Sequence, residues 1–232
     1  MKILMIADHE EKAFWDNWSA QTAERLADVG LILSAGDLHA GYLEFLVTML
    51  NVPLVFVRGN HDSSYRKNPP EGCIDADGQI VEVTFGGSSP HKIRILGLGG
   101  SMRYTDDDPY MYTEKEMKKR IAAAGRVSLK EAVKNLITDR SAGEPDILLT
   151  HAPCRGYGDL DDMPHRGFEC FNDLLDKYHP KLHVYGHVHR AYSAGTGDGS
   201  QGFRRVISHP SGTTLINASG YYIYDIDEEC GI

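Results

Sequence analysis

The 232-residue sequence has no apolar run approaching the roughly 20 residues that a helix needs to cross a bilayer, and its opening run, ILMIA, ends at Asp8. That run is also too short for a signal-peptide core, so a cytoplasmic protein with no membrane partner is expected. Cysteine is scarce and dispersed. Cys73, Cys154, Cys170 and Cys230 form no Cys-x-x-Cys pair, which argues against a zinc knuckle or a dense disulfide framework and fits reduced thiols. Basic residues are outnumbered, 24 against 33 acidic ones, for a formal charge of -9. Bulk binding to nucleic acid or to an anionic membrane is driven by a basic surface, so neither is expected, although a local basic pocket is compatible with this balance. There is no internal repeat, and GTGDGSQG at 195–202 is the sole stretch of linker-like composition. Strand-like runs flank it, which predicts a hairpin loop within one domain spanning residues 1–232 rather than a boundary.

What the sequence does have is a set of short apolar runs: KILMIA (2–7), GLILSA (30–35), PLVFV (53–57), DILLT (146–150) and LHVY (182–185). Runs this short suit strands buried on both faces. Segments of helical length at about 12–27 and 39–50 separate the first three. They predict a βαβαβ start, with right-handed connections and ligands gathered beyond the carboxyl ends of the strands. IVEVTF (80–85) and KIRILG (92–97) flank the turn-rich GGSSPH and predict an antiparallel hairpin. Residues 113–139 carry capping-box patterns at Thr113 to Glu116 and at Ser128 to Glu131, with Gly125 between them, which predicts two helices joined by a tight turn. RRVIS, TTLIN and YYIYDI predict three further strands. Together these imply an α/β chain of two mixed sheets with helices on their outer faces.

Polar residues follow each buried run. Asp8 and Glu10 come after the first, Gly36-Asp37 after the second, and Gly59-Asn60-His61-Asp62 after the third; His151 and Gly186-His187-Val188-His189 follow the last two. Taken singly these are unspecific, since an Asp after a strand is usually a helix cap, a Gly-Asp a turn, and a lone His a surface or satisfied core residue. Their recurrence at equivalent strand ends is more telling, because such ends converge on one crevice. Carboxylates, imidazoles and one side-chain amide make a ligand set for a pair of divalent transition metals. A carboxylate shared by ions about 3.5–4 Å apart suits hydrolysis of a phosphoryl ester. Gly59 and Gly186 are expected either to adopt positive φ or to allow a close approach to the site.

The ordered set Asp8-x-Glu10, Gly36-Asp37, Gly59-Asn60-His61-Asp62, His151 and Gly186-His187-x-His189 resembles the calcineurin-like metallophosphoesterase superfamily. THAPCRGYGDLDDMPHRGF, HPKLHVYGHVH and TTLINAS resemble, in part, the branch holding the MPPED-type phosphodiesterases and related small bacterial phosphoesterases. The resemblance implies a four-layer αββα sandwich and two divalent ions per chain, with Mn²⁺ expected first among Mn²⁺, Fe, Zn, Co, Ni and Mg. It implies that Asp37 bridges the ions, that Asp8, Asp37 and His189 hold one, and that Asp37, Asn60, His151 and His187 hold the other. A bridging hydroxide would attack phosphorus. His61 would bond to or protonate the leaving oxygen, and Asp62 would orient the His61 imidazole.

The superfamily's usual opening motif is Asp-x-His, whereas here the third position is Glu10 and a histidine occupies the middle. If the chain stays extended past Asp8, residues 8 and 10 share a side and residue 9 faces away, so Glu10 is the expected replacement ligand. The alternative is that Glu10 accepts a hydrogen bond from a metal-bound water. A carboxylate there would favour harder ions such as Mn²⁺ or Mg²⁺.

Arginine forks suit phosphate oxygens, and Arg58, Arg103, Arg155 and Arg166 all fall in loops predicted near the sheet edge. Arg155 and Arg166 follow His151 and are the preferred substrate-binding candidates, with His165 beside them. His39 is expected at a helix start. Tyr104, Tyr110 and Tyr112, interleaved with Asp106 to Asp108, form either an aromatic lid or loop packing. The expected function is hydrolysis of phosphodiester or nucleotide-type small molecules. The alternatives are a serine/threonine-type phosphoprotein phosphatase and a non-catalytic metal- or nucleotide-binding regulator. A nuclease on long DNA is disfavoured by the acidic balance.

Overall fold

The structure, a computed structural model, describes residues 1–86, 90–105, 108–134, 144–189 and 203–226. The expected loop at 195–202, Cys230, Asp106 and the end of the 113–139 segment lie outside these residues.

In chain order the elements are β1 (Lys2–Ala7), α1 (Ala20–Arg25), β2 (Val29–Ser34), α2 (Ala40–Leu50), β3 (Leu54–Phe56), β4 (Ile74–Asp75), β5 (Gln79–Phe85), β6 (His91–Leu98), β7 (Ser101–Met102), β8 (Met111–Tyr112), α3 (Glu114–Lys134), β9 (Ile147–Thr150), α4 (Glu169–Tyr178), β10 (Leu182–Tyr185), β11 (Val206–Ser208), β12 (Thr214–Asn217) and β13 (Gly220–Asp225). One sheet has the order β13-β1-β2-β3-β4 and the other β11-β12-β10-β9-β6-β5, with β7 and β8 paired separately. Strands β1, β2 and β3 are mutually parallel, as are β6, β9, β10 and β12. Antiparallel β13, β5 and β11 sit at or beside the edges. Both sheets are therefore mixed, as the apolar runs and the hairpin pattern predict.

Alternation along the strands builds the layers. Ile3, Met5 and Ala7 of β1 and Leu31 and Leu33 of β2 face Ile147 and Leu149 of β9 and Leu182 and Val184 of β10 in one buried cluster between the sheets. The intervening residues Leu4, Ile6 and Ile32 pack outward on Tyr42, Leu43 and Leu46 of α2. On the far side Leu148, Tyr185 and Leu215 pack on Met117 of α3 and Phe171, Leu174 and Leu175 of α4. Each strand is thus apolar on both faces because both faces are covered, and each such side chain contributes about 1.5–3 kcal/mol on burial.

Two expectations are corrected. Residues 12–27 are not one helix but a single 3₁₀ turn at Lys12–Phe14 followed by the short α1, which Ser19 caps by accepting a hydrogen bond from Thr22 N at 3.2 Å. Residues 114–134 form one helix that runs through Gly125. The capping box at its start is present, with Thr113 N donating to Glu116 Oε2 at 2.8 Å and Glu116 N to Thr113 Oγ1 at 3.3 Å. The pattern at Ser128 falls inside the helix. A glycine costs a helix interior only about 1 kcal/mol, which three preceding alanines and the packing of Met117 and Ala124 offset. No helix among the described residues is long and apolar enough to cross a membrane.

Candidate metal centre

The site lies where the carboxyl ends of β1, β2 and β3 meet those of β9 and β10, and the chain leaves several of these strands through a sharp turn. After β1, Asp8 takes φ 64° and His9 N donates to Ala7 O at 2.6 Å, closing a three-residue turn around Asp8. After β10, His187 takes φ 69° and Val188 N donates to Gly186 O at 2.8 Å, which repeats that turn. Asp37, φ 57°, follows Gly36 in the connection after β2. Left-handed backbone at non-glycine residues costs about 1–3 kcal/mol each and is kept chiefly where a site requires it. Gly59 and Gly186 serve close approach rather than positive φ. A Cβ on Gly59 would lie 1.9 Å from Asp37 Oδ1, and one on Gly186 would lie 2.6 Å from Ala7 Cβ and 3.1 Å from Asp8 Oδ2.

Hydrogen bonds join the two sheets across the site. His187 N donates to Asp8 Oδ1 and Oδ2 at 3.0 and 3.1 Å. His151 Nδ1 lies 2.7 Å from Ala35 O, and His187 Nε2 lies 2.7 Å from Pro164 O. A carbonyl only accepts, so each of these nitrogens carries a proton. His187 is left with its lone pair on Nδ1. His151 Nε2 points at Asn60 Oδ1, 3.0 Å away, and Asp37 Oδ2, 3.4 Å away. One ligand atom each from Asp37, His151 and His187 falls within 4.8 Å of the others.

The electrostatics are those of a site short of positive charge. Burial pushes the Asp37 carboxyl up, but the His151 charge and hydrogen bond and the His61 amide outweigh it and hold the group well below its ordinary value. Asp8, whose side chain is fully buried, is likewise held low against its burial by His189 and His151. Burial pushes the His151 imidazolium down, yet Asp37 and Asp8 hold it up at about 9. Burial and the His151 charge push His187 down to about 3, so that ring is neutral. Two largely buried carboxylates, kept ionised in part by a proton on a buried imidazole, make surroundings that favour a cation. The His151 Nε2 proton stands between two oxygens where a divalent ion would take its place, so the residues present fit a metal.

A family model described as calcineurin-like phosphoesterase matches residues 1–191. The chain belongs to the calcineurin-like phosphoesterase family. A Caenorhabditis elegans relative, UPF0046 protein T07D4.2, is 40% identical over 53 residues, which is 22% of this chain and 13% of the relative. The chain thus matches about an eighth of the length of that curated relative. Among solved structures, Chaetomium thermophilum Vps29 aligns over 97% of this chain and 75% of its own at 15% identity, with a TM-score of 0.35. Family membership supports a metal-dependent phosphoesterase in general.

Against that family's pattern, several expected roles change. The chain does not stay extended past Asp8, so the alternation that favoured Glu10 fails. Glu10 is exposed and its Oε1 accepts a hydrogen bond from His39 N at 3.0 Å, at the start of α2. His39 itself caps that helix, with Nδ1 accepting from Gly41 N at 3.2 Å. His9 instead lies against His189, ring centres 4.7 Å apart. Asp62 does not hold the His61 ring. Its Oδ2 accepts from Gly59 N at 2.7 Å and Asp37 N at 2.9 Å, and burial with the Asp37 charge raises the carboxyl to about 6. It therefore shapes the loop that carries Asn60 and His61. His61 is exposed and donates its backbone N–H to Asp37 Oδ1 at 2.8 Å.

Of the arginines, Arg58 is bound to Asp75 and Asp77, and Arg103 to Glu116 and Met111 O. Arg155 is bound to Asp159, Asp161 and Leu160 O within its own loop. All three are committed to structure. Arg166 is partly buried, and among the described residues its Nε has no hydrogen-bond partner. His165 Nδ1 bonds Asp162 Oδ2 at 2.6 Å, and its ring centre lies 5.3 Å from that of His187. Tyr110 and Tyr112 pack on Arg58 and Arg120, the loop-packing alternative. Tyr104 reaches the site, its hydroxyl 3.4 Å from Asn60 Nδ2. It lines a cleft of about 290 Å³ with Arg103, Thr105 and Met163. The extended-chain reading turned His9 away from the site because it lacked the turn at Asp8, and nothing in the sequence signalled the pairing of Asp162 with His165.

Proposed function

We propose that the chain is a phosphoesterase acting on small phosphodiester or nucleotide-type molecules at a centre of two divalent ions. The observation that carries this reading is Asp37 beside two histidines, His187 with a lone pair on Nδ1 and His151 with an Nε2 proton that a divalent ion would displace. Asp37 would be shared, with Asp8 and His189 on one side and Asn60, His151 and His187 on the other. Two such ions, Mn²⁺ first, would acidify a water and neutralise charge on the phosphoryl oxygens. The chain supplies the rest. The Tyr104 hydroxyl accepts from the Asn60 amide nitrogen, which turns Oδ1 of that amide toward His151. Hydrogen bonds to Pro164 O and Ala35 O set the two imidazole planes. Exposed His61, tied to Asp37 through its backbone, would give a proton to the leaving oxygen. The cleft beside Tyr104 would receive the organic part of the ester. Its size, and the exposed faces of Tyr104 and Met163, favour a small molecule over a folded phosphoprotein.

The test is hydrolysis of bis(p-nitrophenyl) phosphate by metal-stripped protein while Mn²⁺ is returned. A rate that requires added metal and is abolished by Asp37→Asn is expected. His61→Asn should lower turnover with metal content retained, most for esters with poor leaving groups. An absence of turnover with Mn²⁺, Fe²⁺, Co²⁺ and Ni²⁺ on both this diester and a monoester would sink the enzymatic reading and leave a metal-binding regulator.

A further inference from the structure

The rings of His151 and His187, which flank Asp37, have centres 4.8 Å apart and planes inclined at 58°. A second pair has nearly the same geometry. His9 and His189 have centres 4.7 Å apart and planes inclined at 61°, and His189 Nε2 lies 3.6 Å from Asp8 Oδ1. An imidazole nitrogen about 2.1 Å from an ion puts its ring centre about 3.2 Å away. Two rings sharing an ion at about 90–110° then have centres about 4.5–5.2 Å apart. Both pairs fall inside that span. Asp37, His151 and His187 offer three ligand atoms within 4.8 Å of one another, whereas Asp8, His189 and His9 form a looser arrangement, with His189 beside the Asp8 carboxylate and the His9 ring against that of His189.

We infer that His9, and not Glu10, completes the metal centre on the His189 side. The turn at Asp8 is what makes this assignment possible. With φ at 64° and His9 N bonded back to Ala7 O, the chain doubles back immediately after β1, so residue 9 rather than residue 10 meets the loop after β10. Glu10 has meanwhile moved to the start of α2, where its carboxylate accepts from the backbone of His39 and complements the positive end of that helix. Two imidazoles beside Asp8 and the shared Asp37 form a softer and less negative site than one with Glu10 as a third carboxylate would, so this side should tolerate Zn²⁺, Co²⁺ or Fe²⁺ as readily as Mn²⁺.

This rests on the two-metal reading, and the experiment separates the two. Bound metal per chain is measured by elemental analysis after equilibrium dialysis of the full chain against Mn²⁺ or Co²⁺, for wild type, His9→Ala and Glu10→Gln. Wild type is expected to bind two ions. His9→Ala should keep one and bind the other at least about tenfold more weakly, while Glu10→Gln should bind both as wild type does. In Co²⁺-loaded wild type, a paramagnetically shifted ring resonance missing from His9→Ala would report ligation without relying on the variant's affinity. Wild type binding fewer than two ions would overturn the two-metal reading and this inference with it. Two ions in His9→Ala at unchanged affinity, no shifted His9 resonance in the Co²⁺ form, or loss of an ion in Glu10→Gln would overturn the inference alone.

Discussion

Asp77 is the residue whose removal should disturb the site most from a distance. Its side chain is 7% exposed and is paired with Arg120 and with Arg58, the latter at 3.4 Å; it also accepts from Gly99 N at 2.6 Å. Arg120 in turn donates to Gly99 O at 2.8 Å, and Arg58 O accepts from Gly100 N at 2.7 Å. This network clamps the end of β3 to the turn after β6 and to α3, immediately before Gly59 and Asn60. Asp77→Ala strands the Gly99 amide and leaves Arg120 without its carboxylate. Breaking a buried pair from one side costs about 3–5 kcal/mol. Arg120 is 19% exposed and Arg58 keeps Asp75, which places the loss near the lower end, at about 3 kcal/mol. For a chain of this size that is a fall of about 6–12 °C in the unfolding temperature. The assay is thermal and urea unfolding of the metal-free protein for Asp77→Ala, Arg120→Ala and the double variant. A double variant less destabilised than the sum of the singles, by about 1–3 kcal/mol, is expected for a coupled pair. Additive losses, or an Asp77→Ala protein within 1 kcal/mol of wild type, would refute the clamp.

Gly59→Ala should abolish tight metal binding, because its Cβ would fall 1.9 Å from Asp37 Oδ1 and 2.6 Å from Asp37 N; calorimetric titration with Mn²⁺ checks this, and unchanged affinity would show that the approach is not needed. Stability should fall in acid partly through His183. This ring is fully buried between Thr150 Oγ1, 2.8 Å from Nε2, and Cys154 Sγ, 3.3 Å from Nδ1, and burial followed by the His209 charge pushes it down to about 3. Thr150 gives its proton to Ala152 O at 2.6 Å, so its oxygen accepts from Nε2–H and the neutral ring is satisfied. The unfolded chain takes up the proton near pH 6.5, so stability present above that pH is lost towards pH 3 at about 1.4 kcal/mol per pH unit. Stability from urea unfolding across this window should fall less steeply in His183→Gln than in wild type, by about that slope, with the remaining acid dependence carried by groups such as His187.

The parts of the fold legible in the sequence were those encoded by neighbours. KILMIA, GLILSA and LHVY are apolar on both faces at nearly every position because each strand is sandwiched between the other sheet and a helix, and the polar residues at their ends marked one edge of both sheets. Gly125 misled because a glycine signals a break only when nothing else holds the helix, and α3 packs on β5 and β6 and buries Met117 and Ala124 in the turns before it. Arg58 misled for the opposite reason. Nothing in its own stretch shows that Asp75 and Asp77, seventeen and nineteen residues on, will occupy its guanidinium. Tyr104 and Met163 belong to two loops that meet only in the folded chain.

Position 10 carries the same lesson into chemistry. A period of two along an extended chain assigns residues 8 and 10 to one side, and that arithmetic is sound for as long as β1 continues. It stops at Ala7, because Asp8 is drawn towards the His187 amide, which reaches both of its carboxylate oxygens. Only a left-handed backbone allows that reach, and aspartate is among the few non-glycine residues that tolerate one. His187 is bent in the same way, so the two residues that bond across the sheet boundary are also two that carry backbone strain. Of the order of 1–3 kcal/mol at each is a cost the fold bears without a packing return, which is expected where the position of the carboxylate matters more than the comfort of the chain. Once Asp8 is set in this way, the neighbour that meets His189 is residue 9, and Glu10 is left to hold the start of α2.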